Sequence, residues 1–189
     1  MVKVLGIVGS PRKGGNTEIM MEEALAAART AGAETEIYPS YGKNIAGCDG
    51  CHACMSSGRC KIKDDMQELY DKMEAADAII LGSPVYFHGV TAQAKTIMDR
   101  TFCFLFKHNL ADKVGGSILA LRKIGASQTR AQINTWFLSH HMHPVMTAVG
   151  YGRAEGDVRT AEGAGIGTTA MQEARMLGEE IVRVFNNLT

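Results

Sequence analysis

The chain has 189 residues, of which 46% are apolar, so it is long enough to bury the core of one domain without disulfides or structural metals. Its 20 Lys and Arg residues balance its 20 Asp and Glu residues, and the formal net charge is zero. A chain with this balance lacks the long-range field that attracts nucleic acids or anionic membranes, so we expect neither as a partner.

Short apolar runs alternate along the chain with longer amphipathic segments. The runs have the length of strands that are buried on both faces, and most are continuously apolar. The segments carry apolar residues at helical spacing, and we expect Gly32 to end the first helix and Asp64 to cap the second. The predicted strands cover residues 2–8, 36–38, 78–81, 117–121 and 145–149, and the predicted helices cover residues 17–31, 66–73, 91–105, 128–140 and 171–185.

Strands that alternate with helices predict an α/β fold, namely a doubly wound, five-stranded parallel sheet with helices on both faces. The chain has no internal repeat, low-complexity tract or long linker, so we expect a single domain over residues 1–189. In this architecture ligands bind beyond the carboxyl ends of the strands. The loops that follow the strands are therefore the candidate functional segments.

The beginning of the chain predicts a cytoplasmic protein. Residues 1–9 form an apolar run that is too short for a signal sequence and is followed by no small-residue cleavage site. No apolar stretch approaches the roughly 20 residues of a membrane span. In a reducing cytoplasm, clustered cysteines indicate metal binding or redox chemistry more than disulfides.

The first loop, residues 9–17, has the composition of a phosphate-binding loop. Its glycines let backbone N–H groups turn inward, and the N-terminus of the following helix carries a partial positive charge. It lacks the ending of a Walker loop and the spacing of a dinucleotide fingerprint, which disfavours a triphosphate or pyrophosphate ligand. The alternative is an ordinary turn in which Asn16 or Thr17 only caps the helix. The candidate residues are Ser10, Arg12, Gly15, Asn16 and Thr17.

The loop after the third strand, residues 82–90, can present backbone N–H groups and aromatic faces to a planar ligand. A phosphate in the first loop and a flat ring in this one describe FMN better than a free sugar phosphate. The alternative is that Tyr86 and Phe87 only pack at the helix entrance and that His88 has no part in binding. The candidate residues are Pro84, Val85, Tyr86, Phe87, His88 and Gly89.

Four cysteines form the pattern C-x2-C-x2-C-x5-C over residues 48–60. Zinc sites usually separate two ligand pairs by about 12 to 20 residues, whereas compact runs suit an iron–sulfur cluster. The simplest count is one 4Fe–4S cluster on all four thiolates, and zinc or metal-free thiols are the alternatives. The candidate ligands are Cys48, Cys51, Cys54 and Cys60, whereas Cys103 has the position of a packed core residue.

The two loops, together with KDDM at residues 63–66 and IMDR at residues 97–100, resemble those of the NADPH-dependent FMN reductase family of flavodoxin-like folds. The likeness covers residues 1 to about 150. It implies FMN as the cofactor and NAD(P)H as a possible electron donor. It also implies that Ser10, Arg12, Asn16 and Thr17 hold the phosphate, that residues 84–89 meet the isoalloxazine ring, and that residues 122–125 close its other side.

The cysteine run inside such a chain resembles the iron–sulfur flavoproteins of anaerobic bacteria and archaea. The resemblance implies an FMN-dependent oxidoreductase whose 4Fe–4S cluster exchanges electrons with FMN, with no catalytic side chain because the flavin carries the chemistry. It further implies a homodimer or homotetramer in which the cysteine loop of one subunit approaches the flavin of another. The alternatives are a cluster-free NAD(P)H-dependent FMN or quinone reductase and a flavodoxin-like electron carrier. Zero net charge disfavours the carrier, since carriers dock through a charged face.

Overall fold

The computed structural model of the chain describes residues 1–165 and 167–189, and Ile166 lies outside the described residues. Five parallel strands form one sheet in the order β2-β1-β3-β4-β5. The prediction of a doubly wound parallel sheet is confirmed. The strands are Lys3–Val8 (β1), Glu34–Pro39 (β2), Ala78–Pro84 (β3), Val114–Leu121 (β4) and His143–Tyr151 (β5).

Helices cover both faces of the sheet. The helices are Asn16–Thr30 (α1), Cys54–Ser57 (α2), Met66–Ala75 (α3), Ala92–Arg100 (α4), Ala126–Ser139 (α5) and Ala170–Leu188 (α6), and two 3-10 helices cover Thr101–Lys107 and Asp157–Arg159.

Two apolar cores lie on opposite faces of the sheet, because successive strand residues point to opposite sides. Val4 and Ile80 face the core formed with α1 and α6. Leu5 and Ile79 face the core formed with α3, α4 and α5. All eight residues of β4 are buried, as expected for a strand covered on both faces.

The close crossing of α1 and α6 depends on a glycine. A Cβ atom at Gly178 would lie 2.0 Å from the carbonyl oxygen of Ala24, so no larger residue fits between the two backbones. Helix α6 begins with a complete capping box between Thr169 and Gln172, which satisfies backbone N–H groups at its first turn.

The sheet order places the functional edge. Strand β1 has β2 on one side and β3 on the other, so the chain reverses its winding direction at β1. The loops after β1 and β3 diverge there and leave a crevice at the carboxyl ends of the strands, where ligands bind in such sheets. No helix within residues 1–165 and 167–189 is long and apolar enough to cross a membrane.

Candidate functional site: two pockets

One pocket opens at the carboxyl edge of the sheet, where the loops after β1, β3, β4 and β5 meet. We call it the edge pocket, and its volume is about 230 Å³. Its lining residues are Ser10, Arg12, Gly15, Asn16, Thr17, Pro84, Val85, Tyr86, Ala120, Leu121, Arg122, Gly152, Arg153, Ala154 and Glu155.

The edge pocket contains most of the candidates from the two loops. All five candidates of the first loop line it, and so do residues 84–86. Residues 87–89 are not among its lining residues. Arg122, from the segment that the resemblance assigns to the far side of the flavin, does line it.

The first loop is held in shape by its own side chains and by its neighbour. The Oγ of Ser10 accepts a hydrogen bond from the Arg12 N–H at 3.2 Å. The Thr91 hydroxyl donates to the Gly9 carbonyl and thereby ties this loop to the start of α4. At the N-cap of α1, Gly15 supplies no side-chain cap, so the positive end of the helix faces the edge pocket.

A carboxylate already binds one N–H of this loop. Oε2 of Glu18 accepts from the Gly14 N–H at 2.6 Å, and its Oε1 accepts from the Tyr41 hydroxyl at 2.8 Å. This hydrogen bond to Glu18 raises the pKa of Tyr41 to about 12. The loop can thus bind an anion, and Tyr41 links it to the segment that leads to the cysteines.

Asn16 connects the first loop to the loop after β5. Its Nδ2 donates to the Ala154 carbonyl at 2.9 Å, and its Oδ1 accepts from the Gly156 N–H at 2.8 Å. Sequence reasoning missed residues 152–155 as part of the site. A signal was available, because Gly150 and Gly152 flank the end of the last strand.

Three guanidinium groups surround the edge pocket, those of Arg12, Arg122 and Arg153. Within residues 1–165 and 167–189, none of the three forms an ion pair with a carboxylate. Together with the positive end of α1 they favour an anionic ligand. FMN, whose phosphate is a dianion, fits this donor set.

The loop after β3 forms a tight hairpin above the pocket. Tyr86 and Gly89 exchange two backbone hydrogen bonds of 2.9 and 3.0 Å, and the central residues Phe87 and His88 have φ angles of 47° and 62°. This is the geometry of a type I′ turn, which asparagine and glycine favour. The Phe87 side chain is fully exposed, so the packing role considered for it is absent from the structure.

A second pocket, of about 320 Å³, contains all the predicted metal ligands, and we call it the cysteine pocket. Its lining residues are Cys48, Asp49, Gly50, Cys51, His52, Cys54, Cys60, Lys61, Asp99, Arg100, Phe102 and Cys103.

The thiols of the cysteine pocket influence one another. Partial burial raises the pKa of Cys54, and the charges of Cys60, Cys51 and Cys48 raise it further. Within the described residues, however, no three His, Cys, Asp or Glu side chains already have metal-binding geometry. Four thiols around one cavity fit a thiolate-bound metal centre as a donor set, and metal binding commonly orders such a segment.

Cys103 forms part of the wall of the cysteine pocket but is buried. Its thiol donates to the Arg100 carbonyl at 3.5 Å, and burial raises its pKa. Its predicted burial is confirmed.

A buried ion pair lies behind the cysteine pocket. Both Nη atoms of Arg100 donate to the carboxylate of Asp64, at 2.6 and 3.0 Å. Burial is the largest single effect and lowers the pKa of Arg100, but the hydrogen bond that Arg100 donates to Asp64 and the effects of Tyr70 and Cys60 together raise it. The N-cap position of α3 is Asp65, one residue after the predicted cap, and the Asp65 side chain makes no cap bond. The Asp64 carboxylate nevertheless accepts from the Met66 N–H at 3.1 Å, as predicted for a cap, and it also pairs with Arg100.

His140 belongs to a buried network whose members line neither of the two pockets. The Thr101 hydroxyl donates to the Met98 carbonyl and accepts from the Trp136 Nε1–H, so His140 donates through Nε2 at 2.9 Å. Burial, with a smaller effect of His141, lowers the pKa of His140 to about 4. The imidazole is therefore neutral near pH 7.

A family model for NADPH-dependent FMN reductases matches residues 2–156. This stretch contains the first loop, the cysteines, the third-strand loop and the loop after β5, so it covers both pockets. The chain belongs to the NADPH-dependent FMN reductase family.

Several relatives of this family member are named iron–sulfur flavoproteins. One from Methanocaldococcus jannaschii is 41% identical over 193 residues, with 97% of each chain covered. One from Archaeoglobus fulgidus is 37% identical over 187 residues, covering 98% of this chain and 81% of the relative. One from Methanosarcina thermophila is 40% identical over 144 residues, covering 75% of each. The predicted resemblance to this group is confirmed.

Solved structures agree on the fold of this FMN reductase family member. A flavodoxin-type, WrbA-like protein from Agrobacterium tumefaciens has a TM-score of 0.66 with 19% identity and full coverage of both chains. A flavone reductase has a TM-score of 0.75 with 22% identity, covering 98% of this chain and 64% of the other. The flavodoxin-like fold is confirmed. Family membership supports FMN as the bound cofactor and FMN-dependent oxidoreduction as the class of activity.

Proposed function

We propose that this chain is an FMN-dependent oxidoreductase in which a 4Fe–4S cluster on Cys48, Cys51, Cys54 and Cys60 exchanges electrons with FMN. The strongest support is that all four cysteines line one pocket, the cysteine pocket. The same chain also has the edge pocket, whose donor groups suit FMN. The relatives that are named iron–sulfur flavoproteins support the same proposal.

In this proposal the edge pocket holds FMN. Arg12 and the positive end of α1 bind its phosphate, with the Ser10 and Thr17 hydroxyls as further donors. Residues 84–86 and Arg122 border the ring, because they come from the neighbouring strand ends β3 and β4. The resemblance adds residues 87–89 to this contact, although their side chains do not line the pocket.

FMN exchanges electrons in pairs or singly and a 4Fe–4S cluster exchanges them singly, so the two groups together can divide a two-electron donation into single steps. The protein itself binds, orients and electrostatically tunes both groups. The edge pocket supplies arginines, hydroxyls and backbone N–H groups, and the cysteine pocket supplies thiols. No side chain is proposed as a catalytic acid or base.

We further propose NADH or NADPH as a hydride donor, a small molecule or an electron-transfer protein as the other redox partner, and a homodimer or homotetramer in the cytoplasm. The family description supports the nicotinamide donor. The oligomer follows from the resemblance, which brings a cysteine loop near the flavin of another subunit.

A cluster-free NAD(P)H-dependent FMN or quinone reductase is the second candidate. The observation in its favour is that no metal-binding geometry is preformed among the described residues. Rapid NAD(P)H oxidation by the purified protein would exclude the third reading, a pure electron carrier.

Iron and sulfide analysis after anaerobic reconstitution separates the first two candidates. We expect about four irons per chain in the wild type. In Cys48→Ser the iron content falls well below that level, because one thiolate ligand is lost. Cys103→Ala is the matched control, since Cys103 borders the same pocket but is buried, and it should retain full iron. Iron well below one atom per wild-type chain favours the cluster-free reductase.

A further inference from the structure

Arg100 holds together the two ends of the cysteine segment, residues 48–60, through hydrogen bonds to the backbone on each side of it. Its Nη1 donates to the Ala46 carbonyl at 2.7 Å and its Nη2 donates to the Ile62 carbonyl at 3.5 Å. Ala46 precedes the first cysteine by two residues and Ile62 follows the last by two.

Asp64 completes the closure from the other side of the guanidinium. Its Oδ2 accepts from the Ala46 N–H at 2.9 Å, and its Oδ1 accepts from the Met66 N–H at 3.1 Å. The side chains of Arg100 and Asp64 are 0% and 5% exposed. The ion pair therefore fixes the ends of the segment from inside the protein.

One donor of this guanidinium has no partner. Within the described residues, the Nε of Arg100 is buried and makes no hydrogen bond, whereas both Nη atoms are bonded. Arg100 lines the cysteine pocket, and Asp64 does not. Buried N–H groups are almost always satisfied, so an unpaired one on a residue that lines a cavity points to a missing acceptor.

We propose that Arg100 is a positioning and tuning residue of the cysteine pocket, which closes the cysteine segment onto Asp64 and offers its Nε–H to a sulfur of the metal-bound thiolate centre. This inference rests on the proposed function, because it needs a thiolate-bound metal in the pocket. Thiolates and sulfides accept hydrogen bonds from N–H groups, and such bonds together with nearby charge set the reduction potential of iron–sulfur centres.

The positive charge of Arg100 predicts the direction in which the reduction potential shifts. A buried cation beside the sulfurs stabilises the more negative, reduced state, so Arg100 makes the reduction potential more positive. Asp64 does not line the cysteine pocket and carries the opposite charge, so it has the opposite and weaker influence. Removing Asp64 alone and removing both charges should therefore move the potential in opposite directions. A purely structural ion pair would impair the segment in the same way in both variants.

The test compares three variants after anaerobic reconstitution, D64N, R100Q/D64N and R59Q. The double variant leaves no unpaired buried charge, so it should still fold. R59Q is the control for loss of a positive charge, because Arg59 lies in the cysteine segment but pairs with Asp71 and Glu74 and does not line the cysteine pocket. Thermal unfolding and FMN binding confirm that each variant is folded.

Dye-coupled titration measures the one-electron potential. In R100Q/D64N we expect the reduction equilibrium to become at least tenfold less favourable, which is about 59 mV for one electron. The potential of D64N becomes more positive, and in R59Q the equilibrium constant for reduction changes by less than threefold. An unchanged potential in R100Q/D64N, or an equal negative shift in D64N, overturns the proposal. If the double variant does not fold, R100M/D64N replaces it, since it also removes both charges, and an unchanged potential there overturns the proposal too.

Cobalt(II) titration of the iron-free protein gives a readout that does not need a cluster, since cobalt bound to thiolates absorbs visible light. We expect at least tenfold weaker binding in R100Q/D64N and less than threefold in R59Q. Equal cobalt affinity in wild type and R100Q/D64N overturns the proposal. A wild type that takes up no iron contradicts the cluster in the proposed function, while the cobalt result still decides on Arg100.

Discussion

Arg12 is the charged side chain of the first loop that lines the edge pocket. In Arg12→Ala we expect FMN to bind about 10- to 150-fold more weakly, because a charge-assisted hydrogen bond contributes about 1.5–3 kcal/mol. Riboflavin affinity should be unchanged, since riboflavin has no phosphate. Fluorescence titration with both flavins checks this.

Lys13→Ala is the matched control for Arg12→Ala. Lys13 is an exposed neighbour with the same charge, but it does not line the edge pocket. Its FMN affinity should stay within about twofold of the wild type. Equal losses in both variants would mean that the phosphate responds to the general charge of the loop and not to Arg12.

His140 makes the stability of the protein depend on pH. Its pKa is about 4 in the folded chain against 6.5 in the unfolded chain. Between these values the unfolded chain binds a proton that the folded chain does not, so stability falls as the pH drops from 6.5 towards 4. At 1.36 kcal/mol per pKa unit, the loss from this residue is up to about 3 kcal/mol.

Urea unfolding of His140→Gln between pH 4.5 and 7.5 measures this contribution. The variant keeps a side-chain donor for Thr101 but cannot titrate, so its free energy of unfolding should decline less steeply than that of the wild type. Parallel slopes for wild type and His140→Gln would contradict the pKa assigned to His140.

At the residue scale, sites formed by consecutive residues could be predicted from the sequence, whereas contacts between distant residues could not. The cysteine spacing and the first loop could be interpreted because their chemistry is contained in consecutive residues. Arg100 and Asp64 are 36 positions apart, and nothing in either neighbourhood indicates that they pair. The same limit applies to Asn16, whose partners lie 138 and 140 residues away.

At the element scale, the periodic segments were predicted correctly and their ends less so. The predicted helix over residues 91–105 is α4 followed by a separate 3-10 helix from Thr101, because Thr101 bonds to Met98 and Trp136 in the buried network. The short helix α2 was not predicted, since four residues carry no helical periodicity. Gly32 does follow the end of α1, with a φ of 96°.

The hairpin after β3 has a strained backbone at Phe87, and relieving this strain should stabilise the protein. Phe87 has a left-handed backbone, which costs about 1–2 kcal/mol for most residues and less for asparagine. Phe87→Asn should therefore raise the free energy of unfolding by about 0.5–1 kcal/mol. Chemical denaturation of the FMN-free protein measures it.

FMN affinity in the same variant tests the role that the resemblance gives to Phe87. Because the exposed ring does not line the edge pocket, Phe87→Asn should bind FMN within about twofold of the wild type. Tyr86→Ala, which alters a lining residue, should bind it more weakly. A loss in Phe87→Asn as large as that in Tyr86→Ala would mean that the ring contacts the flavin.

At the scale of the whole molecule, the fold explains why two distant stretches of sequence form one pocket. The winding direction reverses at β1, so the loops after β1 and β3 border one crevice, and β4 and β5 extend it. Strand alternation predicted this edge, but it could not predict that the loop after β5 would bend back onto Asn16. The cysteine pocket is formed between the loop after β2 and the end of α4, a pairing that depends on tertiary packing.

Anaerobic reductive titration of reconstituted protein tests the central claim most directly, because it counts the electrons that the chain accepts. FMN accepts two electrons and a 4Fe–4S cluster accepts one, so the wild type should accept about three per chain and Cys48→Ser about two. The flavin and cluster absorbance bands should both bleach in the wild type. A wild type that accepts only two electrons per chain, with no difference from Cys48→Ser, would contradict the account.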